Sequence, residues 1–362
     1  MSAIGVVVRD TRADAAGGDL VQARAIARFL KAAGARVDYV GNGNVDGRRW
    51  DVAVMFNVAS LPESLMVAEQ CARRGLPYVV FPIFWDLTSA IPVSERAMLS
   101  RLLPAESTGR RAATRGRFVV RRWKEQGLVT ALRAAGVPRK VAISRILERA
   151  MLVCPNSRAE ARHLAGYLGC EVGPTWVVVR NGIWPEEVPA GDPWEQRREE
   201  VLCLGAVSPR KNSLALVEAA EVAGVRLRIV GQNLSRMDGY ARRVAARCNT
   251  RITLEGYVRR GSALQLLGQS RAHAQVGFVE TPGLATMEAA AAGAAAVAAS
   301  TPVVTEYFPS GLWTVDPCSV AAIAEGLSKA VSTPPEASLA EHVRRVYDWR
   351  AVLQPLRELL GL

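Results

Sequence analysis

Glu280 and Glu288 stand eight positions apart in "VETPGLATMEAAAAG" (279–293), around a Pro-Gly turn that leads into an alanine-rich run. Spacing alone decides nothing, since Glu187 and Glu195 repeat it inside a Pro- and charge-rich segment. Context separates the pairs. "AQVGF" has the apolar character of a buried strand, "VETPG" that of the loop at its carboxyl end, and "LATMEAAAAG" that of a helix. Glu280 is therefore expected at a strand mouth and Glu288 about one turn into the helix. Gly283 and Leu284 fall at the helix start, where backbone amides lack intrahelical acceptors and attract anions. One ligand could meet a carboxylate, a pair of amides and a second carboxylate in turn.

Two other stretches could serve an anion. "LGAVSPRKNSLALVEAA" places Arg210 and Lys211 between a strand end and a helix. A guanidinium fork and a compact ammonium beside a helix N-terminus suit a diphosphate; an isolated Arg-Lys pair is otherwise solvated surface. "GGD" (Gly17, Gly18, Asp19) sits between the first strand and first helix, and reads either as a close backbone approach to phosphate or as a helix start capped by Asp19. "GNGNVDG" (41–47) misses the spacing of a dinucleotide fingerprint and follows the second strand, so it reads as a turn.

The chain contains no GxxxxGK[ST], HExxH, GxSxG or DxD. Six scattered cysteines without a CxxC pair, and three histidines, predict neither a zinc site nor a disulfide scaffold, and fit a reducing cytoplasm. "MSAIGVVVRD" is too short an apolar run for a signal peptide, and no apolar run has spanning length. The net charge of +12 is concentrated: between Arg96 and Arg149 fourteen Lys or Arg face three Glu. Such a block points to a polyanionic partner.

The elements that must position these residues follow a repeating pattern. "IGVVVRD", "ARVDYV", "DVAVMFN" and "PYVVFPIF" read as strands, with helices at "LVQARAIARFLKAAG" and "ESLMVAEQCARRG"; "MLVCPNS" and "TWVVVRNGI" resume the strand pattern after the basic block. "WPEEVPAGDPWEQRREE" reads as a linker. A second series follows: strands "VLCLGAV", "RLRIVG", "ITLEGYV", "AHAQVGF", "AAAVAAS" and "LWTVDP", with helices between, then one or two helices in "EHVRRVYDWRAVLQPLRELLGL". The fold class is α/β, two Rossmann-like domains opening their strand ends on a shared cleft. The expected boundaries are 1–185 with 340–362 for the first domain, including the basic segment 96–149, and 186–339 for the second.

In its second half the chain resembles the donor-binding domain of glycosyltransferases of family 4, the retaining GT-B class within the glycosyl transferases of group 1. The resemblance runs through "LGAVSPRKN", "LRIVGQN", "ITLEGYV", "LQLLGQSRAHAQVGFVETPGLATMEAAAAGAAAVAASTPVVTEYF" and "TVDP". The first half is similar more loosely, through "GGDLVQARAIARFLKAAGARV", "MLVCPNSRAEARHLAGYLG" and "VVVRNGI", and "YDWRAVLQPLRELL" is similar to the helix that crosses back onto the first domain. The resemblance implies transfer of a sugar from a nucleotide-diphosphate sugar. Glu288 would bind the ribose hydroxyls and Glu280 the transferred sugar. Arg210 and Lys211, with the amides of Gly283 and Leu284, would hold the diphosphate. Gly256, Tyr257 and Val258 would line the base pocket, and Gly17 with Gly18 would approach the phosphates. Without DxD, no metal and no cofactor are expected; cations and helix dipoles would neutralise the leaving group. The resemblance further implies attack from the leaving group's own face, with donor phosphate as base.

Two departures stand out. Many members carry Arg where this chain has Ala206, and many place a His at the end of the strand here reading "VVFPIFWDL". Neither His163 nor His273 fits that place; Trp85 and Asp86 occupy the region instead, and Asp86 would position an acceptor hydroxyl or serve the fold. In the basic block, Arg110, Arg111, Arg115, Arg117, Arg121, Arg122 and Lys124 surround Phe118 and Trp123, a composition suited to an anionic membrane surface or to a solvated charged arm. The expected partners are thus a nucleotide sugar, a glycan or polyprenyl-diphosphate-linked acceptor and the inner face of a cell membrane, in bacterial surface-glycan assembly. The alternatives are a GT-B sugar-nucleotide epimerase, a GT-B scaffold with impaired activity, and a nucleic-acid binder. The last lacks any RRM, KH, zinc-finger or clear helix-turn-helix pattern, so no nucleic-acid partner is expected.

Overall fold

The computed structural model describes residues 2–8, 17–41, 45, 47–58, 63–86, 136–232, 234, 237, 239–281 and 283–362. The basic cluster from Arg110 to Lys124 lies outside the described residues. The chain divides into two compact units. The first takes in residues up to Asp86, the stretch ending at Asn181, and Val352–Leu362; the second takes in Gly182–Ala351.

In the first unit, strands β1 (Ala3–Val8), β2 (Arg36–Gly41), β3 (Val52–Phe56), β4 (Tyr78–Phe81) and β5 (Leu152–Val153) form a parallel sheet in the order β2-β1-β3-β4-β5. β1, β3 and β4 are buried along their whole length, as Val-rich strands covered on both faces must be. The helices are α1 (Gly18–Ala32), α2 (Glu63–Arg73), α3 (Arg139–Glu148) and α4 (Arg158–Leu168). α1 buries Leu20, Ala23, Ile26, Ala27 and Leu30 on one stripe, the helical period that its sequence displays.

The second unit alternates strand and helix: β6 (Arg198–Leu204), α5 (Ser213–Ala223), β7 (Leu227–Gln232), α6 (Gly239–Ala245), β8 (Ile252–Gly256), α7 (Arg260–Gln269), β9 (Ser270–Gln275), α8 (Leu284–Ala291), β10 (Ala295–Ala299), α9 (Pro302–Tyr307), β11 (Trp313–Val315) and α10 (Val320–Ser332). Its parallel sheet runs β11-β10-β9-β6-β7-β8. The chain thus begins in the middle, builds outward one way, then crosses back and builds the other way. β10 is five small residues, all buried. Small side chains let helices approach closely: a Cβ on Gly326 of α10 would stand 2.7 Å from Val315 and 3.2 Å from Val297.

Three expectations need correction. "TWVVVRNGI" is not a regular strand. Val177 donates to the Val153 carbonyl and Val179 to that of Pro155, but only an isolated bridge joins Trp176 to Val153, and β5 itself is two residues long. β-Branched composition favours extended backbone without guaranteeing a partner. The stretch 184–200 is not a free linker. Trp184, Val188 and Arg197 are buried, and its last residues already belong to β6. Finally, residues 340–351 stay with the second unit. α11 (Ala337–Val346) buries Leu339 and Val343. Its Arg344 guanidinium donates to the carbonyls of Ala291, Pro185, Val188 and Pro189. Two short helices, α12 (Trp349–Val352) and α13 (Gln354–Leu359), complete the chain, and the second is the part grouped with the first unit.

Candidate active site

Order reversal in the second sheet falls between β6 and β9, the first and fourth strands of the unit. Crevices at the carboxyl ends of strands at such a point are where open α/β sheets bind ligands. Here the loop after β6 and the loop after β9 are tied together. Phe278 N–H donates to the Arg210 carbonyl at 3.1 Å, and Arg210 Nη1 donates to the Val279 carbonyl at 3.0 Å. Asn212, in left-handed conformation at φ 55°, reaches the carbonyls of Val276 at 3.3 Å and Pro317 at 2.7 Å, adding the loop after β11.

Lys211 Nζ lies 2.8 Å from both oxygens of Glu280. The carboxylate is 4% exposed and the lysine 20%, so the pair is largely desolvated and each charge depends on the other. Its position is set by Pro209–Lys211, one turn of 3₁₀ helix capped by Ser208, whose hydroxyl accepts from Lys211 N–H. Gly277 makes room for it: a Cβ there would stand 2.6 Å from Glu280 Oε1 and 3.0 Å from the Arg210 carbonyl. Cys203, at the end of β6, feels both charges. Burial pushes its thiol up to about 12, with Lys211 pulling down and Glu280 adding to the rise.

Gly283 precedes α8 with φ 86°, a conformation that favours glycine, and a Cβ there would collide with Gln275 Oε1 at 2.6 Å. Gln275 Oε1 also accepts from Thr286 Oγ1, which fixes the first turn of α8 against the end of β9. Glu288 lies on the next turn, buried. Burial raises its pKa and Arg260 opposes the rise through an ion pair of 2.7 Å between Nη2 and Oε1. Gly256 ends β8 on the same carboxyl edge, and Tyr257 beyond it is 59% exposed, with Val258 partly buried. His273 is fully buried in β9. Burial, reinforced by Lys211, drives it down to about 4 against the opposing hydrogen bonds of Leu202 and Gln275, so it is neutral near pH 7.

Elsewhere the sequence candidates belong to the first unit. Gly17, at φ 151°, is the residue before α1, and Gly18 begins the helix with open space at its Cβ position. Asp19 is not the cap; it sits inside the first turn and accepts from Asn57 Nδ2 at 3.4 Å. Trp85 and Asp86 follow β4 in a loop held by α4. Ser157 caps α4, and Glu160, three residues on, donates its amide to the Ser157 hydroxyl at 2.9 Å. The Glu160 carboxylate does not return to Ser157. It accepts from Phe84 N–H at 2.8 Å and Asn156 N–H at 2.7 Å. Ile83, between β4 and these residues, is at φ 48°, an unfavourable place for a β-branched side chain. Contrary to the expectation that His163 does not fit this place, its side chain reaches the loop. Its Nε2 accepts from Asp86 N–H at 3.0 Å and its ring stacks on Trp85 at 4.3 Å between centroids. Burial lowers the His163 pKa, against the pull of Asp86, and favours the neutral ring that this bond requires.

Sequence reasoning thus located Arg210, Lys211, Glu280, Gly283 and Glu288 on one sheet edge, and missed Arg260, Asn212, Glu160 and His163. "SRAE" (157–160) is a capping-box signature that could have flagged Glu160; nothing local marks Arg260, which reaches Glu288 from 28 positions upstream.

Residues 186–345 match the family described as "Glycosyl transferases group 1". That match covers nearly all of the second unit, Gly182–Ala351. Solved structures with the same fold span the whole chain. Sucrose-phosphate synthase from Thermosynechococcus elongatus aligns with 100% of this chain and 98% of its own, at TM-score 0.70 and 15% identity. The Anabaena protein HepE, in complex with UDP and glucose, aligns over 100% of both chains at TM-score 0.70 and 15% identity. The catalytic domain of starch synthase IV from Arabidopsis thaliana, bound to ADP and acarbose, covers 99% of this chain and 98% of its own at TM-score 0.64 and 11% identity. No curated protein matches the chain by sequence. The fold class is GT-B, two parallel α/β sheets, with the unit that the group 1 family model matches second.

Proposed function

We propose that the protein transfers a sugar from a nucleotide-diphosphate sugar to a glycan or lipid-linked acceptor, with retention of the anomeric configuration and without a metal ion. The observation that carries this is the pairing of Lys211 with Glu280 at the sheet's switch point, beside the Gly283 turn that opens α8, in a unit of group 1. A departing diphosphate needs positive charge that is already in place, and Lys211, Arg210 and the first amides of α8 supply it. As the diphosphate arrives, Lys211 is shared between phosphate and Glu280. The freed carboxylate oxygens then meet the hydroxyls of the transferred sugar. Glu288 takes the ribose, and Tyr257 with Gly256 and Val258 borders the base. Attack by an acceptor hydroxyl from the leaving group's face retains configuration and lets donor phosphate take the proton.

On the acceptor side, we assign the Trp85–His163 stack and Asp86 to the incoming hydroxyl, and the basic segment to an anionic membrane surface at the cytoplasmic face. No described helix is long and apolar enough to cross a membrane.

The test is turnover. Purified protein in EDTA is given UDP-, GDP- and ADP-sugars with candidate acceptors, nucleoside diphosphate release is followed, and the product's anomeric configuration is read by NMR. Release from one donor, abolished in Glu280→Gln and Lys211→Met, supports the proposal. A metal requirement, an inverted product or epimerised donor would replace it.

A further inference from the structure

The nearest charged partner of Glu288 is not on its own helix. Arg260, first residue of α7, places Nη2 2.7 Å from Glu288 Oε1 while its Nε lies 3.6 Å from Glu187 Oε2. The three residues form a chain that leads inward from solvent: Glu187 and Arg260 are 36% and 41% exposed, Glu288 8%. The other cations at α8 are committed elsewhere. Arg344 donates to the Ala291 carbonyl and Arg197 to that of Ala292, both at the helix's far end. β10, packed beneath, carries no titratable side chain, and His273 on β9 is neutral through burial. Among the described residues, Arg260 is therefore the cation that faces Glu288, with Glu187 the acidic group behind it.

We propose that Arg260 is a positioning residue for nucleotide binding: it holds the buried Glu288 carboxylate ionised and fixed in orientation, so that the carboxylate accepts hydrogen bonds from a ribose diol, and Glu187 keeps Arg260 in place. This rests on the assignment of Glu288 to the ribose. An ionised carboxylate accepts at both oxygens, whereas a protonated one gives up part of that capacity to its own O–H. Burial works against ionisation at this site and Arg260 works for it. Loss of the guanidinium moves the carboxyl further up, so the proton must be removed before the diol can bind. The sign is fixed: nucleotide affinity falls as pH drops through the carboxyl's pKa, and without Arg260 that fall begins at higher pH.

The experiment measures affinity for the nucleoside diphosphate that binds wild type best among UDP, GDP and ADP, by calorimetry across about pH 6 to 8.5, for wild type, Arg260→Met, Arg260→Lys and Glu288→Gln. Circular dichroism confirms that each variant is folded; Arg260→Lys, which keeps the charge, covers the case in which Arg260→Met is not. Arg260→Met is expected to bind about tenfold more weakly than wild type near pH 6 and within about threefold of it near pH 8.5, with Arg260→Lys between them. A pH-independent loss would leave Arg260 a purely structural role. Unchanged affinity in both Arg260 variants, with Glu288→Gln impaired, would overturn the proposal and spare the Glu288 assignment. Tighter binding in Arg260→Met would make Arg260 a competitor of the ligand and also overturn it. Wild-type affinity in Glu288→Gln would sink the ribose assignment itself.

Discussion

Lys211 and Glu280 are each other's solvation. Two charges this dry are held by mutual attraction and by hydrogen bonds, and removing one strands the other. Lys211→Met should therefore cost about 3 kcal/mol of stability in denaturant unfolding, and the double variant Lys211→Met, Glu280→Gln should recover most of it. Additive losses would mean that the pair is not coupled. Gly277→Ala tests the same pair sterically. Its new Cβ would meet Glu280 Oε1 at 2.6 Å, so the carboxylate must rotate away from Lys211. Sugar transfer should fall by about a hundredfold, since misplacement by an ångström carries that scale of loss, while the fold persists. Activity near wild type would show that the carboxylate's placement is not critical. Both glutamates of the opening stretch were legible as site candidates from strand, turn and helix context. Their partners were legible only in part: Lys211 lay in a strand-turn-helix segment, whereas Arg260 faces Glu288 solely because α7 and α8 pack side by side.

At the scale of elements, α4 grips the loop after β4 through Glu160 and His163, three residues apart on one helix face. Burial raises the Glu160 carboxyl from 4.5 to about 7 against the amides of Phe84, Asn156 and Ile83. A folded-state pKa above the unfolded value means that the native state binds the extra proton. The associated stability is present below pH 4.5 and is lost as pH rises through about 7, a change of about 3 kcal/mol. His163 contributes the opposite slope just below its ordinary value of 6.5, because its folded-state pKa is lowered. Comparing wild type with Glu160→Gln isolates the carboxyl: melting temperature from pH 4.5 to 7 should decline less in the variant. Parallel curves would show that the carboxyl titrates normally. Strand and helix periodicity made most of these elements visible in the sequence. The failures have a common cause. "TWVVVRNGI" has strand composition but a two-residue neighbour to pair with, and the segment 184–200 reads as polar and Pro-rich although Arg197 and Trp184 are buried by contacts distant in sequence.

For the molecule as a whole, two parallel sheets of different strand order share one chain, and the candidate donor residues sit on the carboxyl edge of the second. The βα alternation announced that architecture, and the surplus of basic residues between 96 and 149 motivates the proposal of a polyanionic partner. If that partner is a membrane, the protein should sediment with anionic vesicles at low salt and be released as ionic strength rises, each Lys or Arg near the surface contributing about 1 kcal/mol. Neutral vesicles should not retain it, and equal retention by both would refute an electrostatic origin.

The most direct test of the central claim is a thermal-shift panel of UDP, GDP, ADP and their sugars in EDTA, on wild type and Glu288→Ala. One nucleotide should stabilise wild type, by about 2.7 kcal/mol at a hundredfold excess over its dissociation constant, and should not stabilise the variant. If no nucleotide shifts the wild-type transition, or if the shift survives in Glu288→Ala, the sheet edge described here is not a nucleotide-sugar site built on that carboxylate.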